Sequence, residues 1–177
     1  MKSVLVVAHS DDESLFFGGL LASEPGDWTI ICCSIARADP IRSYKFFDAC
    51  EVLGAKGRLL PFAEALLETP HHLNKLDLSG FDRIVTHGAA GEYGHAHHKI
   101  IHRHITSKWI SKPIIVRGTT RRLILTDEQR ALKLAALRCY DHVSPDDGKP
   151  KWQALLARYP EWIDAESYDG PSFRGTD

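Results

Sequence analysis

Short continuous apolar runs alternate along this chain with segments whose apolar residues recur at helical spacing. Ser3 to Ala8 (SVLVVA) and Trp28 to Ser34 (WTIICCS) are too short and too uniformly apolar for amphipathic helices, and they read as strands buried on both faces. Arg58 to Phe62 and Arg83 to His87 (RIVTH) predict two more strands. Between them, helices are predicted over Ser14 to Ala22, Ile41 to Leu53 (closed by Gly54), and His95 to Trp109. Pro113 to Val116 and Arg122 to Leu125 predict further strands or one hairpin. Asp127 to Tyr140 predicts a helix capped by Thr126 or Asp127. After Pro145 the pattern loosens, with one helix predicted over Trp152 to Tyr159; Ala63 to Gly80 reads as loop with one or two helical turns.

Strands alternating with helices predict an α/β fold, a Rossmann-like three-layer arrangement around a mostly parallel sheet. At 177 residues, with no linker or repeat, the chain reads as one domain over residues 1–177. Such sheets place ligands at the carboxyl ends of their strands, and polar clusters follow Ala8 and His87.

Charge narrows the partners. Lys and Arg total 22 against 23 Asp and Glu, a net charge of −1, which gives no general attraction to nucleic acid or anionic membranes. No apolar stretch approaches the ~20 residues of a spanning helix, and the N-terminal run lacks a signal-peptide pattern. The four cysteines contain no C-x-x-C and read as reduced thiols, so a cytoplasmic protein is expected. The pattern does not fix the oligomeric state.

Of ten histidines, His87, His95, His97, His98, His102 and His104 fall within one short stretch. His9-Ser10-Asp11-Asp12-Glu13 follows the first strand. Ser10 and Glu13 fit a capping box, but a histidine beside two adjacent carboxylates calls for a compensating cation. In the second cluster, helical geometry puts His98 on the face of Ile101, Ile105 and Trp109, aimed at the sheet from the first turn. His102, one turn deeper, reads as a core histidine, and His97 and His104 lie at the edge. A rival zinc pair, His98 and His102, lacks the usual Glu after its first member; Lys99 stands there.

Ala8-His9-Ser10-Asp11-Asp12-Glu13 resembles the A-H-P-D-D-E signature of the PIG-L/LmbE-like zinc-dependent N-deacetylase family. Gly91-Glu92-Tyr93-Gly94-His95-Ala96-His97-His98 resembles its G-E-Y-G-H-P-D-H signature. The resemblance runs from Lys2 to about Ile105, and more faintly from Asp127 to Ser144. It implies a zinc-dependent hydrolase that removes an N-acyl group, N-acetyl above all, from an amino sugar or its conjugate. By the same resemblance His9, Asp12 and His98 are metal ligands, Asp11 is the general base, and His95 and Tyr93 stabilise the transition state. Arg42 and Arg37 are candidate substrate contacts. Two His and one carboxylate also suit iron(II).

Three positions depart from the pattern. Ser10 replaces Pro, Lys45 stands where an R-x-x-E pattern beginning at Arg42 has Glu, and His97 replaces an Asp expected to orient His95. Two other readings stay open. One is a metal-dependent amidase on a non-sugar N-acyl or thiol conjugate; the other is a catalytically impaired sugar-binding member. The aromatic residues Tyr159, Trp162, Tyr168 and Phe173 would either pack on the domain or stack on a sugar.

Overall fold

A computed structural model describes the chain apart from residues 38, 69, 143–149 and 172–177, and apart from the side chains of 68 and 70. Ser144 and Phe173 therefore lie outside the described residues. The strands are β1 (Lys2–Val7), β2 (Asp27–Cys32), β3 (Lys56–Leu59), β4 (Arg83–Thr86), β5 (Ile114–Ile124) and β6 (Ala165–Asp169). The α-helices are α1 (Asp12–Ser23), α2 (Pro40–Val52), α3 (Pro70–Leu73), α4 (Ala96–Lys108), α5 (Asp127–Arg138) and α6 (Lys151–Arg158), with 3₁₀ turns at Glu64–Glu68 and Pro160–Ile163.

One sheet runs β3-β2-β1-β4-β5-β6, parallel except for β6, which pairs antiparallel with β5. Alternation along β1 sorts its side chains between two cores. Leu5 and Val7 face α1, α2 and α5 (Phe16, Phe46, Leu137), while Val4, Val6 and Ala8 face α3 and α4 (Leu73, Ile101, Ile105). Helices thus cover both faces, and the chain reverses its direction of travel across the sheet between β1 and β4. The crevice above those two strands is where this architecture accepts ligands.

Two expectations change. The segments 113–116 and 122–125 are not a hairpin; they are the ends of one long strand, β5, whose register shifts between Arg117 and Arg121 opposite Tyr168. Its partner β6 lies in a stretch that reads as irregular in sequence. The cap of α1 also differs. Asp11, not Ser10, is the N-cap, with φ 98°, and its N–H donates to Glu13 Oε2 at 3.0 Å. Aspartate is among the few non-glycine residues that tolerate this left-handed region.

The glycine pair inside α1 is a packing device. A Cβ at Gly19 would stand 2.5 Å from Leu125 Cδ2 and 2.9 Å from the Glu166 carboxyl carbon. That close approach lets Glu166, buried with Lys133 in a 2.6 Å ion pair, accept the N–H groups of Gly19 and Leu20, both at 2.8 Å. Gly19→Ala is therefore expected to destabilise by about 1–3 kcal/mol despite its better helix propensity. Gly18→Ala, which meets mainly the flexible stem of Lys133, is expected to cost less. Urea unfolding midpoints check the order; an equally or more stable Gly19→Ala protein would contradict the packing account.

Candidate metal centre

The end of β1 delivers His9, and the first turn of α1 delivers Asp12. The loop after β4 carries Glu92 and Tyr93, and the start of α4 delivers His95 and His98. His9, Asp12 and His98 are buried. Asp12 is central: Oδ2 accepts the His9 N–H at 2.8 Å and lies 3.3 Å from His9 Nδ1, while Oδ1 faces His98 Nε2 at 3.3 Å. Among the described residues, His98 Nε2 is buried and Asp12 Oδ1, at 3.3 Å, is the polar atom it faces, short of a well-formed hydrogen bond. A buried imidazole nitrogen beside a carboxylate and a second imidazole is the donor set a divalent cation takes.

Glu92 fixes the opposite side of His98. Its carboxylate accepts from His98 Nδ1, from His87 Nδ1 at 3.1 Å and from the Gly88 N–H at 2.9 Å. With Nδ1 committed as donor to Glu92, His98 turns its Nε2 to the centre, where a metal ion would bind in place of the Nε2 proton. Glu92 reaches this position from a left-handed backbone, φ 54°, inside a loop where Gly91 (φ 71°) and Gly94 (φ 96°) do the same.

Two overlapping ligand groups come within reach of one ion, His9/His95/His98 and Asp12/His87/His98. Hydrogen bonding discriminates within them. The Ala8 N–H donates to His87 Nε2 at 3.0 Å, so the lone pair of His87 is spent and its proton sits on Nδ1 toward Glu92. His87 therefore supports the centre rather than ligating it. Asp12 links the two groups, with His9 Nδ1 3.3 Å from Oδ2 and His98 Nε2 3.3 Å from Oδ1. The rival His98/His102 pair is in neither group: His102 Nδ1 donates to the His87 carbonyl at 2.9 Å, and among the described residues no cluster within reach of one ion includes His102.

Electrostatics fits a cation here. Burial alone would raise Asp12, but His98 and His9 outweigh it and hold the carboxyl well below the usual range. Burial would lower His98, yet Asp12 and Glu92 push it up to about 10, so without metal the ring holds a proton between two carboxylates. Asp11 moves the other way: burial raises it, Arg42 opposes, and Asp12 adds to the rise. His95 is pushed down to about 4 by burial and by the neighbouring His9 and His98. As N-cap of α4 its Nδ1 accepts the His97 N–H at 3.2 Å, so the neutral ring carries its proton on Nε2.

The site gathers most of the residues singled out in the sequence. His9, Asp11, Asp12, Arg42, Tyr93 and His95 line a cavity of about 200 Å³, joined by Glu64, Lys151 and Leu155. Arg42 is neither a free substrate arm nor a solvated charge. Its Nη2 pairs with Asp11 at 2.8 Å, its Nε donates to the Ser10 carbonyl at 2.6 Å, and its Nη1 lies 3.5 Å from Glu64. Arg37 is exposed on the connection after β2 and is not among the described residues lining this cavity. His97 orients a different histidine from the one expected: its Nδ1 meets His9 Nε2 at 2.9 Å.

Sequence reasoning missed the work of Glu92 and of Glu13. The Glu13 carboxyl, raised to about 7 by burial, accepts from Ser14, Tyr140 and the Asp11 N–H, and so holds the strained Asp11 backbone. Its spacing to Ser10 suggested only a cap. Glu92 had a signal, an acid flanked by glycines between a strand-end histidine and a helix-start histidine. Tyr168 is buried and packs onto the protein, whereas Trp162, edge-on to Phe16 at 5.1 Å, is only half-buried.

No protein-family model matches the chain. It is similar to an uncharacterized protein of Acanthamoeba polyphaga mimivirus, 24% identical over 121 residues, 55% of this chain and 53% of the relative. The match thus spans about half the length of that curated relative. Solved structures share the fold along the whole chain. GalB, a 4-carboxy-2-hydroxymuconate hydratase from Pseudomonas putida, aligns at TM-score 0.62 and 16% identity, covering 100% of this chain and 99% of that one. A zinc-inhibited form of the teicoplanin deacetylase Orf2 aligns at 0.66 and 14%, covering 97% and 99%. The A40926 pseudoaglycone deacetylase Dbv21 aligns at 0.61 and 15%, covering 99% and 98%.

Proposed function

We propose that this chain is a metal-dependent N-deacylase of the PIG-L/LmbE type, acting on an N-acetylated amino sugar or its conjugate. The observation that carries the reading is the buried Nε2 of His98, facing Asp12 and oriented by Glu92. Fold alone would not decide, since a hydratase and deacetylases share it.

His9, Asp12 and His98 would hold the ion, zinc or iron(II), three protein ligands being what a catalytic site keeps when one position is open. Such an ion supplies a Lewis acid that polarises a carbonyl and brings the pKa of water near 7. Asp11 receives the proton of the attacking water. Its raised pKa suits a base that must return that proton, and Arg42 holds its carboxylate in place. His95 Nε2–H and the Tyr93 hydroxyl donate to the developing oxyanion. With the Nδ1 of His95 occupied and its ring neutral, the proton for the leaving amine comes from Asp11. His97 steadies His9, so its replacement of aspartate leaves the centre intact and weakens the reading of an impaired member.

The test is amine release by metal-loaded protein from N-acetylglucosamine conjugates, N-acetyl amino acids and an N-acylated thiol conjugate. Release from the sugar conjugates, stopped by a chelator and restored by zinc or iron(II), is expected. Release only from the thiol conjugate or the amino acids would move the substrate, and none from any would end the proposal. Glu92→Gln is expected to weaken metal binding about 10- to 100-fold, since the orientation of His98 depends on it. Competition with a chromogenic chelator measures this, and unchanged affinity would deny Glu92 that role.

A further inference from the structure

A second cavity, of about 460 Å³, opens beside the metal centre at the carboxyl ends of β4 and β5. Of its lining residues, Glu92 alone has a part in the proposed hydrolysis, through His98. Its volume falls in the range of small-molecule sites. One wall is Trp162, whose indole is held flat against Tyr159 (4.2 Å, 11°) and edge-on to Phe16. The other wall is the irregular stretch of β5, which contributes Arg117 and Arg122.

The shape of that stretch is specified. Arg117 and Arg121 both register with Tyr168, so residues 118–120 are extruded from the ladder. The Asp169 carboxylate straps them down, accepting the N–H groups of Thr119 at 3.1 Å and Thr120 at 2.8 Å. In an unbroken strand, residues five apart point to opposite faces; here both arginines line one cavity. Arg117 is pre-positioned, its Nη1 donating to the Ser167 carbonyl at 2.9 Å and its guanidinium lying 5.3 Å over the Tyr168 ring. Arg122 is exposed and forms no ion pair among the described residues.

Two acids border the cavity and they differ. Glu92 turns its oxygens to His87, His98 and Gly88. Glu161 is exposed at the rim. The carboxylate of Glu92 is taken up by its histidine partners and that of Asp169 by the Thr119 and Thr120 N–H groups, which leaves Arg117 and Arg122 with Glu161 as the charged groups open to a ligand, across from an aromatic wall. We infer that this cavity is a binding site for a small ring compound bearing a carboxylate or phosphate, its anionic group held by Arg117 and Arg122 and its ring against Trp162. Arginine forks suit both anions.

Calorimetric titration of the full chain, metal-free and metal-loaded, tests the site with glucose 6-phosphate, glucuronate and uncharged glucose. At least one anionic probe is expected to bind and glucose not, the two anionic arms telling phosphate from carboxylate. Arg122→Gln, at an exposed position, is expected to weaken binding at least about tenfold, as loss of one charge-assisted contact would. Asp11→Asn is expected to leave it unchanged, which separates this site from the proposed hydrolysis. No binding of either anion up to ~10 mM, a range that would register even millimolar affinity, would overturn the inference. So would equal binding by Arg122→Gln, or equal binding of glucose.

Discussion

His98→Ala protein will bind zinc at least about 10²-fold more weakly than the parent while remaining folded. The magnitude follows from the ligand set. Structural zinc sites gain ~10–16 kcal/mol from four ligands, so one ligand accounts for roughly 3–4 kcal/mol, or 10²–10³ in affinity. His98 should lie at the upper end. Its Nε2 reaches the centre already buried, with the ring direction fixed through Nδ1 by Glu92. The alternative group containing His87 predicts the same loss for His98, so companion variants decide between the sets. His9→Ala is expected to lose the ion as well. His87→Gln is expected to keep it, because His87 Nε2 is engaged by the Ala8 N–H. Metal content after dialysis, alongside circular dichroism, reads all three. Stoichiometric metal in His98→Ala, or loss confined to His87→Gln, would redraw the centre.

Asp11→Asn protein will keep its metal and lose about 10²- to 10⁴-fold in kcat/KM, the range of a general base and ~2.7–5.4 kcal/mol of transition-state stabilisation. Asparagine preserves size and tolerates the left-handed backbone at this position, so the α1 cap survives. It cannot accept the proton, and it leaves Arg42 with Glu64, at 3.5 Å, in place of the 2.8 Å pair with Asp11. A change confined to KM would assign Asp11 to binding rather than proton transfer. Loss of metal together with activity would make Asp11 a ligand.

The parts of the molecule that were legible in sequence are those where one face is uniformly apolar. β1 is buried on both faces, and its run of Val and Leu says so. The His98, Ile101 and Ile105 face of α4 is fully buried, as helical spacing implies. β6 was illegible because its buried positions include Glu166, an acid whose partner Lys133 lies 33 residues away and whose other contacts are two helix N–H groups. No local pattern marks a buried ion pair built across elements. The extruded residues of β5 hid the strand in the same way, since RGTTRR reads as a turn. At the site, the two motifs pointed to His9, Asp12 and His98, and the fold brings these side chains to one place, but a motif says nothing about which ring nitrogen faces which partner. The pairing of His97 with His9, and of Arg42 with Asp11, depends on loops whose course only tertiary packing sets.

β1 lies between β2 and β4, and this ordering shapes how the chain reaches its native state. Residues up to Leu59 can build the half-sheet β3-β2-β1 as they are synthesised, leaving the far edge of β1 open. That edge waits for β4, whose Arg83 pairs with Ser3 across 80 positions. At ~5–20 residues per second the wait lasts roughly one to five seconds, with a Val-rich edge unpaired. Closure over so long a loop makes β1–β4 pairing a slow step, and His98 arrives only after it. His9 and Asp12 are thus made in the first half and His98 in the second, so the proposed ligands come together late in folding. Metal ions present during refolding should then retard unfolding far more than they hasten the early half-sheet.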